Sequence, residues 1–215
     1  MSDTLRITEI FLSLQGEAKS IGLPTVFVRL TGCPLRCVYC DSEYAFYGGE
    51  KHKLSDLMDQ VLALKAHHVC VTGGEPLAQP QALELLRRLC EAGKAVSLET
   101  SGAMPIDGVD ARVSIVMDIK TPASGESQRN RLENLPLLQK KDQVKFVICN
   151  REDYEWASFK LAEWNLSERV GEVLFSPSFG VLEARHLADW VIQDCLPVRF
   201  QIQLHKYLWG DIPGV

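Results

Sequence analysis

Gly32-Cys33-Pro34-Leu35-Arg36-Cys37-Val38-Tyr39-Cys40-Asp41 gathers three thiols within eight residues, just after an apolar run from Thr25 to Leu30 that reads as a β-strand. Thiolate sulfur is a soft ligand that suits zinc or iron–sulfur clusters, and this spacing lets one loop turn its sulfurs towards one centre. A cubane cluster with a full protein ligand set takes four cysteines, and a closed zinc site also takes four ligands. The next cysteine, Cys70, lies thirty residues further on, inside an apolar strand-like run. A three-ligand site leaves one coordination position open, and an open position is where chemistry takes place. Two other readings of the residues stand beside this one. The cysteines could fill a core, which the flanking Gly32 and Pro34 argue against, or they could bind zinc completed by His67, His68 or Cys70.

Outward from this loop, the chain alternates apolar strands with helical patterns. Strands are expected at 25–30, 69–72, 95–99, 113–117, 143–148, 172–175 and 198–204, and helices at 55–66, 80–92, 129–139, 151–165 and 183–194. Ser55 is a candidate N-cap, with Asp56 and Asp59 near the positive end of the first helix. Pro80 and Gly93 bracket the second helix in the usual order. Alternation of this kind implies an α/β fold with a parallel sheet and right-handed crossovers, either partly closed into a barrel or open and doubly wound. Polar residues cluster after the strands: Thr72-Gly73-Gly74-Glu75-Pro76, Glu99-Thr100-Ser101-Gly102, Asp118-Ile119-Lys120-Thr121-Pro122 and Ser176-Pro177-Ser178. A barrel brings such strand ends to one mouth.

The 215 residues suit one domain spanning 1–215 with a substantial core. A net charge of −5 disfavours a broad phosphate-binding surface, so nucleic acid is not an expected partner. The opening Met1-Ser2-Asp3-Thr4 lacks the basic and apolar regions of a leader, and no apolar run approaches a membrane span. Seven cysteines, an odd number with several in apolar runs, fit a reducing cytoplasm.

The C-x3-C-x2-C loop after a strand, with Tyr39 just before its third cysteine, resembles the radical S-adenosylmethionine (SAM) enzymes. The resemblance implies a partial (β/α) barrel with the strand C-terminal ends forming the active-site mouth. It implies that Cys33, Cys37 and Cys40 hold a 4Fe-4S cluster, with the amine and carboxylate of SAM on the fourth iron. One electron, from a donor such as flavodoxin or ferredoxin, then cleaves the cofactor to a 5′-deoxyadenosyl radical. Val69 to Pro76 is similar to the family's glycine-rich motif, whose backbone approaches the cofactor closely; this assigns Gly74 to cofactor and Thr72 to substrate.

Ser13-Leu14-Gln15-Gly16-Glu17, with Arg29, resembles one branch of that superfamily, the 7-carboxy-7-deazaguanine synthases. These are lyases acting on 6-carboxy-5,6,7,8-tetrahydropterin, with loss of ammonia, on the route to queuosine and related deazapurines. The resemblance places Leu14, Gln15, Gly16, Glu17 and Arg29 at the substrate, the amide and carboxylate reading the pterin edge and the guanidinium its carboxylate. The branch usually carries Gly after Glu17, where Ala18 makes a stiffer loop. Ser42 stands where a hydroxyl helps hold Mg2+; its bland alternative is a turn-capping Asp41-Ser42. Asp118, Ile119 and Lys120 match a cofactor-contacting segment that commonly begins with Ser, and Ser176 and Glu99 are further cofactor candidates. The tail from Gln203 resembles one that closes over substrate, and a homodimer is implied. No catalytic side chain is assigned beyond cluster and cofactor; His205 and the cysteines at 70, 90, 149 and 195 read as structural. The rivals are a glycyl-radical activating enzyme, which shares the cysteine spacing but acts on a protein, and a non-catalytic zinc or iron–sulfur binding module.

Overall fold

The computed structural model describes residues 3–214; Met1 and Ser2 of the opening and Val215 of the tail lie outside the described residues. Among the described residues nine strands form one sheet: β1 (Thr4–Leu14), β2 (Pro24–Leu30), β3 (Glu50–Lys53), β4 (His68–Gly73), β5 (Ala95–Thr100), β6 (Ser114–Ile119), β7 (Gln143–Ile148), β8 (Glu172–Pro177) and β9 (Arg199–Phe200). Their order is β3-β1-β2-β4-β5-β6-β7-β8-β9. From β2 to β9 every pairing is parallel, whereas β1 runs antiparallel to both its neighbours. The helices are α1 (Leu54–Ala63), α2 (Ala82–Glu91), α3 (Arg151–Glu163), α4 (Leu166–Arg169), α5 (Ala184–Gln193) and α6 (Leu204–Trp209).

This order chooses between the two architectures left open by the sequence. A doubly wound sheet needs a reversal in strand order, and from β2 onward each strand is added on the same side. With right-handed crossovers, the connecting helices then all fall on one face and the sheet curls around the other. Because β3 and β9 end the sheet, the barrel is partial.

The period of two along each strand separates the faces. Val26, Val28, Leu30, Val69, Val71, Leu98, Met117, Phe146 and Phe175 join the main buried core with the helices. The alternate residues Arg29, Thr72, Glu99, Asp118, Lys145 and Ser176 line the concave side. Each fully buried aliphatic side chain contributes about 1.5–3 kcal/mol, so the polar interior rests on a large apolar exterior. Tyr154 fastens α3 to α5 through its hydroxyl, 3.0 Å from the Trp190 carbonyl and 2.7 Å from Asp194.

The segment before Thr25, unassigned in the sequence reading, is β1. A bulge hides its alternation: Ile7 pairs with Leu30 but Glu9 pairs with Arg29, leaving Thr8 extra. The extra residue turns Ile7 into the helix-side core and Glu9 towards Arg29 on the concave side. Beyond β1, the loop from Gln15 tucks inside the curled sheet. Ala18 packs with Val116 and Leu174, its amide donates to Gln201 Oε1 at 2.9 Å, and the Lys19 amide donates to Gln143 Oε1 at 2.7 Å. Ala18 has φ of 63°, a conformation that costs a non-glycine residue roughly 1–2 kcal/mol, and its buried methyl offsets part of that.

Other expectations need correction. Segment 129–139 is not an α-helix but 3-10 turns, Ser127–Arg129 and Leu132–Leu137, the second containing Pro136; proline removes a donor and clashes with a preceding carbonyl. The expected strand 198–204 shortens to β9, after which the chain turns into α6. Ser55 is not a cap: α1 begins at Leu54 directly from β3, and the Ser55 hydroxyl donates to Asp56 instead. Pro80 lies two residues before α2 starts, while Gly93 follows its C-cap with φ of 75° as expected.

Candidate active site

A cavity of about 600 Å³ occupies the concave face. Lining it are Leu14, Gln15, Glu17, Arg29, Cys33, Cys37, Cys40, Ser42, Thr72, Gly74, Asp118, Lys120 and Ser176. Thus one space collects nearly every residue singled out from the sequence. Two fall elsewhere. Ile119 is buried in the helix-side core, because it follows Asp118 on a strand whose side chains alternate. Gly16 lies against the His205 ring, and its carbonyl accepts the Leu204 amide at 3.0 Å, so it seats the tail rather than lining the cavity.

The cysteine loop spans the C-terminal ends of the strands. Buried Leu35 anchors it, the Val38 amide reaches the Ser124 carbonyl at 3.0 Å, and the Cys40 amide closes a turn on the Cys37 carbonyl at 3.1 Å. Arg36 clamps the outside, donating to the Cys33 carbonyl at 2.8 Å while its guanidinium lies 4.2 Å from the Phe46 ring centre. The three thiols are free and half-buried. Burial pushes all three up, Cys37 to about 11; becoming thiolates there requires a compensating positive centre, as a cluster provides. Thiolates binding separate irons of a cubane need not converge on one point, and among the described residues no group of three His, Cys, Asp or Glu does so. His68 begins β4 and Gly73 ends it, so at about 3.3 Å per residue the histidines lie some 16 Å from the strand end that carries the loop. Cys70 is fully buried below it. Neither completes a zinc site with the loop.

Gly74 brings the glycine-rich turn against this loop. A Cβ there would sit 2.3 Å from the Gly32 carbonyl oxygen and 2.9 Å from Cys33 Cβ. The next residue, Glu75, is fully buried and ties two strand-end loops together, accepting from the Thr100 hydroxyl at 2.9 Å and the Ser101 amide at 2.7 Å.

Below the loop, the polar groups form a connected set. Glu99 accepts from Gln15 Nε2 at 3.3 Å and from the Thr72 hydroxyl at 3.2 Å. Arg29 Nε donates to Glu9 at 2.6 Å, and the Tyr44 hydroxyl donates to the same oxygen at 2.8 Å. The Arg29 terminal nitrogens make no hydrogen bond among the described residues. Lys145 donates to Glu17 at 2.6 Å and lies 3.6 Å from Asp118, which is 3.1 Å from Lys120. Burial pushes the Glu17 carboxyl up, but the Lys145 ammonium and two hydrogen bonds outweigh it and hold it below its ordinary value. Burial likewise opposes the Lys145 charge, yet Glu17 and Asp118 hold its pKa well above the usual lysine range. The tail joins through Gln203, 2.8 Å from Glu17 and 3.0 Å from Asp41, and through Lys206, 3.1 Å from both Asp41 and Asp211.

Comparison with known proteins fits this geometry. A model of the radical SAM superfamily matches residues 27–116, from β2 into β6. The 7-carboxy-7-deazaguanine synthase of Chlorobaculum tepidum is 44% identical, over 98% of this chain and 97% of its own. That of Koribacter versatilis is 43% identical, over 95% of this chain and 97% of its own. The chain belongs to the 7-carboxy-7-deazaguanine synthase family. Among solved structures, QueE from Escherichia coli superposes with a TM-score of 0.73 at 22% identity, covering 94% of this chain and 95% of that one, which establishes the shared fold. Like other radical SAM enzymes, members of the family use a 4Fe-4S cluster and SAM. Neither a binding module nor a glycyl-radical activating enzyme is favoured by these relatives.

For a 7-carboxy-7-deazaguanine synthase family member, several further parts of the cavity lie outside the residues that sequence alone marks. Phe11 and Phe27 stack with centres 4.9 Å apart on its wall; both come from the bulged hairpin. Lys145 gave a usable signal, a lone lysine inside the apolar run Gln143 to Ile148. His205, set aside as structural, lines the cavity as well as seating Gly16.

Proposed function

We infer that this chain converts 6-carboxy-5,6,7,8-tetrahydropterin to 7-carboxy-7-deazaguanine with release of ammonia, as a radical SAM lyase serving queuosine and deazapurine synthesis. The observation that carries the inference is one cavity lined both by the cysteine loop, with Cys33, Cys37 and Cys40, and by the polar, pterin-compatible side chains of Gln15, Glu17, Arg29 and Thr72.

In this reading Cys33, Cys37 and Cys40 hold the 4Fe-4S cluster, with Gly74 leaving room for the backbone to approach SAM. Bound there, cluster and cofactor supply a 5′-deoxyadenosyl radical. Asp118, Lys120 and Ser176 orient the cofactor; Ile119 contributes through its backbone alone. Gln15, Glu17 and Thr72 read the heterocycle, Leu14 packs against it, and the free terminal nitrogens of Arg29 receive the carboxylate. Gly16 serves indirectly, by seating the tail. Removing Arg29 strips a charge-assisted contact and leaves Glu9 with the Tyr44 hydroxyl but no cation, so Arg29→Ala is expected to raise the pterin KM about 10- to 100-fold while cluster absorption stays unchanged. An unaltered KM would reassign Arg29 to the ion pair with Glu9.

Ser42 lines the same cavity, and its hydroxyl donates to Asp41 at 2.9 Å. A hydroxyl whose proton is engaged elsewhere keeps its lone pairs for a cation, which supports a weak Mg2+ site completed by substrate oxygens and water. Ser42→Ala is expected to reduce Mg2+ stimulation at least several-fold in a metal titration; a full response would leave only the turn.

Chain 1–215 is proposed as one domain in a cytoplasmic homodimer with a small one-electron donor as redox partner. Exposed Leu12 and Trp209, which share a shallow apolar surface with Pro24, support self-association. No helix among the described residues is long and apolar enough to cross a membrane. The deciding assay is anaerobic turnover of reconstituted protein with SAM, reductant and the tetrahydropterin, with and without Mg2+. Formation of 7-carboxy-7-deazaguanine is expected. SAM cleavage without that product would discard the substrate.

A further inference from the structure

We propose that Lys145 is a positioning residue that fixes the substrate-reading Glu17 and the cofactor-reading Asp118 with one ammonium, so that a single side chain sets the affinity for both ligands. The inference rests on the roles proposed above for those two carboxylates. Glu17 and Asp118 come from unrelated parts of the fold, the β1–β2 loop and the end of β6, and no direct hydrogen bond joins them among the described residues. Lys145 stands directly opposite Asp118 in the β6–β7 register. From there its Nζ lies 2.6 Å from Glu17 Oε2 and 3.6 Å from Asp118 Oδ2.

The rest of each carboxylate is committed elsewhere, which makes the shared cation the point of connection. Glu17 Oε1 accepts from Gln203, while Asp118 Oδ1 has the Lys120 ammonium 3.1 Å away as an ion-pair partner but accepts no hydrogen bond of its own. Lysine is almost never buried unless paired, and the Lys145 side chain retains only 13% of its exposure. Burying a charge is strongly unfavourable without partners. Removing this ammonium therefore leaves Glu17 held by Gln203 alone and Asp118 by Lys120 alone, with nothing tying the two carboxylates to each other. An ionised, immobile Glu17 accepts hydrogen bonds from substrate N–H donors; a protonated or rotated one does not. A displaced Asp118 likewise loses its alignment with the hydroxyls of SAM.

The test measures equilibrium binding of SAM and of 6-carboxy-5,6,7,8-tetrahydropterin to reconstituted, unreduced protein by anaerobic calorimetry, in wild type, K145M, E17Q, D118N and E17Q/K145M. K145M is expected to weaken both ligands at least tenfold, whereas E17Q weakens the pterin alone and D118N weakens SAM alone. The double variant is expected to bind pterin within about threefold of E17Q, since the lysine acts on the pterin through Glu17. If K145M fails to fold, E17Q against E17Q/K145M, in which the charge loss is balanced, still isolates the effect: SAM binding must fall at least tenfold between them. A K145M protein that loses only one ligand, or pterin losses that add in the double variant, would overturn the proposal. A wild type that binds SAM but not the pterin would instead overturn the substrate reading itself.

Discussion

Cys37→Ala is expected to yield a folded protein that takes up no stable cluster and makes no product. After anaerobic reconstitution it should lack the broad visible absorption of the wild type, and neither 5′-deoxyadenosine nor deazaguanine should form. The loop supplies three thiols, and neither Cys70 nor the histidines at the far end of β4 can replace a lost one. Melted before reconstitution, so that the stabilisation a bound cluster adds does not enter, the two proteins should differ little: Cys37 is half-buried and lies outside the main apolar core. Absorption and thermal melting together check both halves. Retained cluster and turnover would remove the central claim, and a collapse in melting temperature would make the thiol a packing residue.

Gly74→Ala is expected to have the second-largest effect, by a different route. The new methyl would meet backbone, with the Gly32 carbonyl carbon at 2.7 Å as well as its oxygen at 2.3 Å. No side-chain rotation relieves such a contact, so the two loops must separate. Overpacking of this kind costs typically 1–3 kcal/mol, and here the displaced segment carries Cys33. A lowered melting temperature should therefore accompany poor cluster uptake and weaker SAM binding. Gly93→Ala is the control: it meets nothing within 4 Å but holds φ at 75°, so it should cost stability without touching the cluster. If Gly74→Ala melts like wild type and loads fully, the close approach is not what glycine is needed for.

The outer framework was legible because its signals are local. Six of the seven expected strands coincide with β2 and β4–β8 to within two residues at either end, since apolar runs bounded by turn residues need no tertiary information. The cysteine loop and the glycine-rich turn were legible for the same reason. What escaped depends on long-range geometry. The Thr8 bulge scrambles the alternation of β1, hiding the strand that delivers Phe11 and Leu14 to the cavity and Glu9 to Arg29. Pro136 lies inside a stretch whose apolar pattern is otherwise helix-like, and its missing donor and ring clash override that pattern. Glu99 looked like a peripheral cofactor candidate, whereas the register places it between Gln15 and Thr72. Lys145 is polar in an apolar strand, and only the curl of the sheet shows that it faces its partners rather than solvent.

The tucked loop after β1 bears on how the protein is made. Glu17 meets Gln203, 186 positions later, and Ala18 meets Gln201, 183 positions later. Contacts so distant in sequence form late and slowly. During synthesis the cysteine loop and the glycine-rich turn emerge well before Gln201 and Gln203, so the chamber beneath them stays without its floor anchors until that later segment has followed. A nascent or truncated chain can therefore gather thiols without holding a closed chamber, and the capacity to confine a reactive radical is acquired at the final stage of folding.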